Sequence, residues 1–555
     1  MNILDLLTTL GRWGQEHPQT VLVGCGVVPL VAGLTGLVRR YRQEASDVLG
    51  SARWATPREI RDAKLMALHG VVVGRGERQV LCDDSERHIL LCAPTGAGKG
   101  RGVIIPTLLT WGESALILDP KDGENLQVTG PWRSHYGRVE AFTPCRQPHT
   151  CLNVLDTIRL GTPKEFADAQ LIAQSLVAPA EFAYESATSL HFRELAALLL
   201  TAAILHVCYT SPRTSLAGVW VFLTQQYSRL ADALKAMRAT AHHQESVHQA
   251  VAGLTAAITN ITGDRELGSV WSTAIRPLVL YSDPLVAAST DTSTLRLEDL
   301  QYGQTPVSLY LVAPSPVAVK RLHQLYRVIL DVAMARLMDH PVGTHRFRLL
   351  LCADELPWHG YTKAIDEGIA VMRGYGIKAL LVVQDLPSFE RVYGADTAIW
   401  GNTDVKIFRR PVNDLTAKRL SDNLMGRGTV GHPVESRQAG LLGRRSVSFQ
   451  HVARPLLTTD EVMALDPDVE ILRVSGVRPI RCTAVDYLKD WEFRGRWITT
   501  KKRRGILSRV LSGVRRRVRQ HKTERNDETH GGSRERGPGA PECPGQFRRR
   551  ARHTA

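Results

Sequence analysis

The stretch LLCAPTGAGKGRGVIIPTLL, residues 90–109, restricts the fold more than any other part of the chain. The residues before it, from Arg87 to Ala93, read as a short buried strand, and those after Gly100 read as a helix opening toward Leu108. Strand, small-residue turn and helix start together make an anion site, because the first N–H groups of a helix lack internal acceptors and the helix dipole favours negative charge there. The phosphate-loop pattern G-x-x-x-x-G-K-[ST] is met at Gly98 and Lys99 and broken twice. Ala93 stands at the first glycine, and Gly100 stands where a hydroxyl is usual. Pro94, Thr95, Gly96, Ala97, Gly98, Lys99, Gly100 and Arg101 are the candidate phosphate-binding residues. Taken alone, the stretch also fits an ordinary glycine turn between strand and helix.

A phosphate loop requires an acidic partner at the end of another strand, since Mg²⁺ on the phosphates needs oxygen ligands. The run RLLLCADELP supplies one. Asp354, at the end of an apolar strand, suits a metal ligand, and Glu355 beside it suits polarisation of an attacking water. Further along, ALLVVQD sets Gln384 at another strand end, where an amide can position water or sense a terminal phosphate. Two acids and a glutamine at strand ends are individually commonplace. In this order after a glycine loop they point to a Mg²⁺-dependent NTPase site.

The wider chain has an uneven charge. Lys and Arg together number 70 against 55 Asp and Glu, a net charge of +15. From Arg494 onward there are 19 Lys or Arg against 5 Asp or Glu, so the rest is close to neutral. Such a tail suits nucleic acid or an anionic membrane face, and also fits a solvated disordered end. Near the start, residues 20–38 form 19 uncharged residues followed by Arg39, Arg40 and Arg42, long enough to cross a bilayer with the basic side in the cytoplasm. Ile3 to Leu10 is too short to cross and fits an interfacial segment. The 9 cysteines show no C-x-x-C pair, so neither a zinc site nor a disulfide framework is indicated. The apolar run from Leu195 to Tyr209 is shorter, carries His206, and reads as a core helix.

Strand and helix patterns alternate over residues 85–150, helical periodicity takes over to about 295, and strand-like runs return at VSLYLVAP, FRLLLCADE and KALLVVQD. The expected organisation is therefore α/β. Residues 1–42 form a membrane anchor, 43–155 the first part of a nucleotide-binding domain, 156–295 an inserted all-α domain, 296–492 the second part, and 493–555 a disordered basic tail.

The segments CAPTGAGKGRGVIIPTLLTW, ALILDPKDGE, LLLCADELP, LLVVQD and RPLLTTDEVMAL, in this order, resemble the TraG-type coupling proteins of type IV secretion and conjugation. The resemblance runs from about Gly50 to about residue 490. It implies a RecA-like P-loop NTPase domain with an all-α insertion, an inner-membrane ATPase, a homo-hexamer with ATP between subunits, and delivery of DNA with its relaxase to the secretion channel. Arg373, Arg409 and Arg410 are each candidates to reach a neighbouring subunit's phosphates. DPKDGE, residues 119–124, carries one Asp more than the D-x-K-G-E associated with this family, which leaves the roles of Asp119 and Lys121 open. The family commonly has two membrane helices where this chain shows one. Other readings of the residues are an FtsK-type DNA translocase and a docking scaffold stabilised by nucleotide. Glu355 argues against the scaffold, because binding alone needs no water-activating acid.

Overall fold

The computed structural model describes residues 50–181, 186–226, 229–242, 248–261, 264–437 and 445–497. The proposed anchor and the basic tail beyond residue 497 lie outside these residues; the first residues assigned to the tail belong to the folded domain instead, with Phe493 buried and Trp497 packed edge-on against Tyr487.

The described strands are β1 (Val71–Arg75), β2 (Val80–Asp83), β3 (Ile89–Cys92), β4 (Ser114–Asp119), β5 (Arg138–Phe142), β6 (Val307–Val312), β7 (Leu349–Ala353), β8 (Ile377–Val383), β9 (Val405–Arg409), β10 (Arg427–Arg437), β11 (Arg445–Pro455), β12 (Val469–Val474) and β13 (Ile480–Thr483). Eleven of them form one mixed sheet in the order β2-β1-β13-β12-β9-β3-β8-β7-β4-β6-β5. From β9 to β5 every neighbouring pair is parallel. From β9 outward through β12, β13, β1 and β2 the pairs are antiparallel.

The parallel part follows from composition. In β3, β4, β6, β7 and β8 every residue is buried, as expected of strands covered on both faces. Alternate side chains serve two different cores, in keeping with the twofold period of a strand. Leu349, Leu351 and Ala353 join the core on one face, and Leu350 and Cys352 join the core on the other. The first face packs against the long helix Pro316–Met338 and the helices between β5 and β6. The second holds Val103, Ile104, Leu108 and Trp111 from the helix that follows the glycine loop.

Between β5 and β6 the described elements are helical, from Glu165–Val177 to Asp299–Tyr302. Ala187–Thr210 is long and apolar enough to span a membrane, yet Leu195 to Val207 is largely buried among its neighbours. Its start is set by Ser186, whose side chain accepts from the Ser189 N–H. β10 and β11 form a separate two-stranded ribbon, rooted by the bridge Ser51↔Gly428.

Placing β8 between β3 and β7 brings the three strand ends together. The C-terminal ends of β3, β8 and β7 deliver the glycine loop, Gln384 and the Asp354-Glu355 pair to one edge of the sheet, the edge where parallel α/β sheets bind ligands.

Candidate active site

The glycine loop leaves β3 at Cys92 and turns twice through left-handed backbone, at Gly96 (φ 82°) and Gly98 (φ 78°). Both positions favour glycine for that reason. A helix then runs over residues 99–110, and its turn Gly100–Ile104 is widened to π geometry, with the Ile105 N–H donating to the Gly100 carbonyl. Pro106, next in sequence, has no N–H to continue an ordinary ladder, which accounts for a widened turn here. Thr95 and Gly96 are exposed, whereas Lys99 is 5% exposed and aimed inward.

Lys99 pairs with Glu355 through Nζ and Oε1. Gln384 Nε2 donates to the other carboxylate oxygen of Glu355 at 3.0 Å. Lys121 Nζ lies 3.4 Å from Glu355 Oε1 and 3.7 Å from Asp354 Oδ2. The structure thus brings Lys99, Asp354, Glu355 and Gln384 into one cluster and adds Lys121, whose place the sequence left open. Glu355 is held in left-handed backbone at φ 55°, a strained conformation for a residue with a Cβ and one that concentrates at functional sites.

The two acids are almost fully buried, with Asp354 3% and Glu355 1% exposed. Burial pushes the Asp354 carboxyl up to about 6, opposed mainly by the Lys121 ammonium. Asp354 Oδ1 is buried with no hydrogen-bond partner among the described residues. An anionic oxygen left without a donor in this setting suits a cation ligand. Asp119, by contrast, is taken up in local structure. It accepts from the Leu126 N–H at 3.0 Å and from Asn125 Nδ2 at 3.4 Å, and burial pushes its carboxyl up to about 7.

Arg101 turns from the loop toward Asp486, with Nη2 to Oδ2 at 2.5 Å. Of the three arginines considered for a neighbouring subunit, Arg409 is committed inside its own chain. It is 3% exposed, its Nη1 donates to the Ala97 carbonyl at 2.7 Å, and its Nε pairs with Glu470 at 3.2 Å. This buried pair props the glycine loop from beneath, and neither residue stood out in that role from sequence. Arg373 pairs with Asp404 at 2.5 Å. Arg410 is exposed.

The Arg409 guanidinium also fixes what Gly102 can be. A Cβ there would fall 2.0 Å from Arg409 Nη2 and 2.8 Å from the Val485 carbonyl oxygen, whereas one at Gly100 meets nothing within 4 Å. Gly102→Ala is therefore expected to destabilise the protein by about 1–3 kcal/mol through overpacking. Gly100→Ala, in an open helical position, should be neutral or stabilising by up to about 1 kcal/mol. Thermal melting of the two variants checks this, and equal melting temperatures would contradict it.

A family model described as type IV secretory system conjugative DNA transfer matches residues 43–517. The chain is similar to the conjugal transfer protein TraG of Escherichia coli, 33% identical over 554 residues, covering 89% of this chain and 86% of that one. It is also similar to protein VirD4 of Agrobacterium fabrum, 26% identical over 497 residues, covering 85% of this chain and 70% of that one. Among solved structures it resembles the bacterial conjugative coupling protein TrwBdeltaN70 at a TM-score of 0.60 and 16% identity, covering 81% of this chain and 95% of that one. A structure of the plasmid coupling protein TrwB in complex with ADP and Mg²⁺ is similar at a TM-score of 0.59 and 16% identity, covering 80% and 96%. The structural likeness establishes a RecA-like α/β fold with a mixed sheet, and the extent of the family match establishes descent: this chain belongs to the type IV secretory system conjugative DNA transfer family, as a coupling protein of the TraG type.

Proposed function

We propose that the chain is an inner-membrane coupling ATPase that binds ATP and Mg²⁺ at this site and brings a DNA–relaxase substrate to a type IV secretion channel. The observation that carries the reading is the convergence of Lys99, Lys121, Asp354, Glu355 and Gln384 at the edge formed by the ends of β3, β4, β7 and β8. The binding of ADP and Mg²⁺ by TrwB, which shares the fold, agrees with it.

Each residue has a role that its position allows. The N–H groups opening the helix at residues 99–101 bind phosphate oxygens, having no intrahelical acceptors. Lys99 turns from Glu355 to neutralise phosphate charge. Asp354, whose Oδ1 has no hydrogen-bond partner among the described residues, would hold the metal, which would supply stabilisation of charge on the phosphate oxygens. Glu355 orients water and takes its proton, and Gln384 keeps the carboxylate aimed. With Arg409 taken up beneath the loop, Arg410 at the exposed end of β9 is the arginine best placed to reach a neighbouring subunit in a hexamer. The uncharged segment 20–38 anchors the chain in the membrane, and the basic segment after Arg494 contacts DNA phosphates.

The test is hydrolysis by the detergent-solubilised full chain. ATP turnover should require Mg²⁺ and rise on adding DNA. Deleting residues 501–555 should leave basal turnover unchanged and weaken DNA binding. It should also flatten the dependence of log affinity on log salt by several units, at about 0.7 per lost contact on single strands and 0.9 on duplex. A full salt slope after the deletion, with loss of binding to anionic vesicles, would assign the tail to the membrane. No hydrolysis with or without DNA would overturn the ATPase reading.

A further inference from the structure

Glu355 Oε1 is shared by two ammonium groups, Lys99 from the glycine loop and Lys121 from the turn after β4. Only one of them belongs to the phosphate loop. When Lys99 engages phosphate, Glu355 loses its nearest cation while remaining almost wholly buried beside Asp354. A buried carboxylate stripped of its counter-charge is costly, and the neutral Gln384 amide that donates to the other oxygen does not replace the lost charge. Lys121 is placed to prevent this. It is on a different element, its side chain is 37% exposed and so has room to move, and its Nζ already lies within 4 Å of both acids.

The turn that carries Lys121 is built to aim it. Asp122 (φ 56°) and Gly123 (φ 74°) are consecutive left-handed residues. The turn is pinned from three sides. The Asp122 N–H donates to the Ala313 carbonyl at 2.9 Å, the Glu124 N–H to the Lys121 carbonyl at 3.1 Å, and the Asp122 carboxylate pairs with Arg146. The left-handed turn at Asp122 follows β4 and the left-handed Glu355 follows β7, and these two strands are neighbours in the sheet.

We propose that Lys121 is a positioning residue that holds Glu355, and through it the attacking water, after Lys99 has moved to phosphate; this rests on the ATPase reading above. Lys121 gives no proton and touches no reacting atom. Its loss therefore acts on turnover and spares the affinity that Lys99 and the loop provide.

The experiment uses the full-length chain with Lys121→Gln, Lys121→Arg, Glu355→Gln and the Lys121→Gln/Glu355→Gln double variant, measuring ATP affinity with a fluorescent analogue and turnover separately. Lys121→Gln should keep ATP affinity within about threefold and lose roughly 10- to 100-fold in kcat, as expected of lost orientation. Lys121→Arg should recover part of it. In the Glu355→Gln background Lys121→Gln should add nothing further, because the group it positions is already gone. Parallel losses in affinity and kcat, an unchanged kcat, or a full additional loss in the Glu355→Gln background would each overturn the proposal. A parent chain that binds ATP and never hydrolyses it would instead sink the ATPase reading, so the two failures are distinguishable.

Discussion

Replacing Glu355 by Gln is expected to leave ATP bound and to slow its turnover by about two to four decades. The substitution keeps the size and the hydrogen-bonding capacity toward Gln384 and removes only the charge that accepts a proton. Lys99 would lose its intramolecular partner and be freer to meet phosphate, so affinity should hold or rise. The reciprocal change, Lys99→Ala, removes the ammonium that neutralises phosphate, and leaves Glu355 with Lys121 as its remaining cation at 3.4 Å. That variant should lose nucleotide binding and turnover together. The contrast separates the two ends of one buried ion pair, which a merely structural pair would not show: there, both variants would fail by unfolding.

Removing one partner of the Arg409–Glu470 pair is expected to destabilise the protein by about 3–5 kcal/mol, the cost typical of leaving a buried charge without its counter-charge. Glu470 is fully buried, and burial already pushes its carboxyl upward despite the guanidinium beside it. Arg409→Met should therefore lower the urea midpoint markedly and weaken nucleotide binding as well, since the Ala97 carbonyl loses its donor. Arg409→Met combined with Glu470→Met should recover much of the stability, because apolar pairs of similar volume often replace buried ion pairs at little cost, and should leave the binding defect in place. Equal stability of Arg409→Met and the parent would show that the pair does not support the loop.

Much of the candidate site is legible in the sequence because its parts are local. Strand, glycine turn and helix are contiguous in residues 87–109, and the Asp354-Glu355 pair and Gln384 each follow an apolar run that reads as a buried strand. What sequence does not carry is register. Arg409 and Glu470 lie 61 residues apart and meet because β9 and β12 pair with those two residues directly opposite. A candidate for action on a neighbouring subunit thereby becomes an internal prop. Lys121 stayed doubtful for a related reason: its reach to Asp354 and Glu355 depends on β4 lying beside β7 and on the left-handed turn at Asp122, neither of which its sequence neighbours announce. The ribbon of β10 and β11 was missed because RGTVGHPVESR is polar, interrupted by Gly and Pro, and lacks the alternation that marks a strand. β13 does alternate, with Ile480 and Cys482 buried and Arg481 and Thr483 exposed, but four residues are too short a run to stand out from the sequence.

In the proposed nucleotide site, made by residues 94–101 and the Asp354-Glu355 pair, Lys99 binds phosphate and Glu355 serves the chemistry. Equilibrium binding of a fluorescent ATP analogue with Mg²⁺ to the parent, Lys99→Ala and Glu355→Gln, each shown to be folded by its cooperative melt at the temperature of the assay, tests this site. The expected result is binding by the parent and by Glu355→Gln within about threefold of each other, and a loss of about a hundredfold or more in Lys99→Ala. Binding by Lys99→Ala as tight as the parent's would contradict the account.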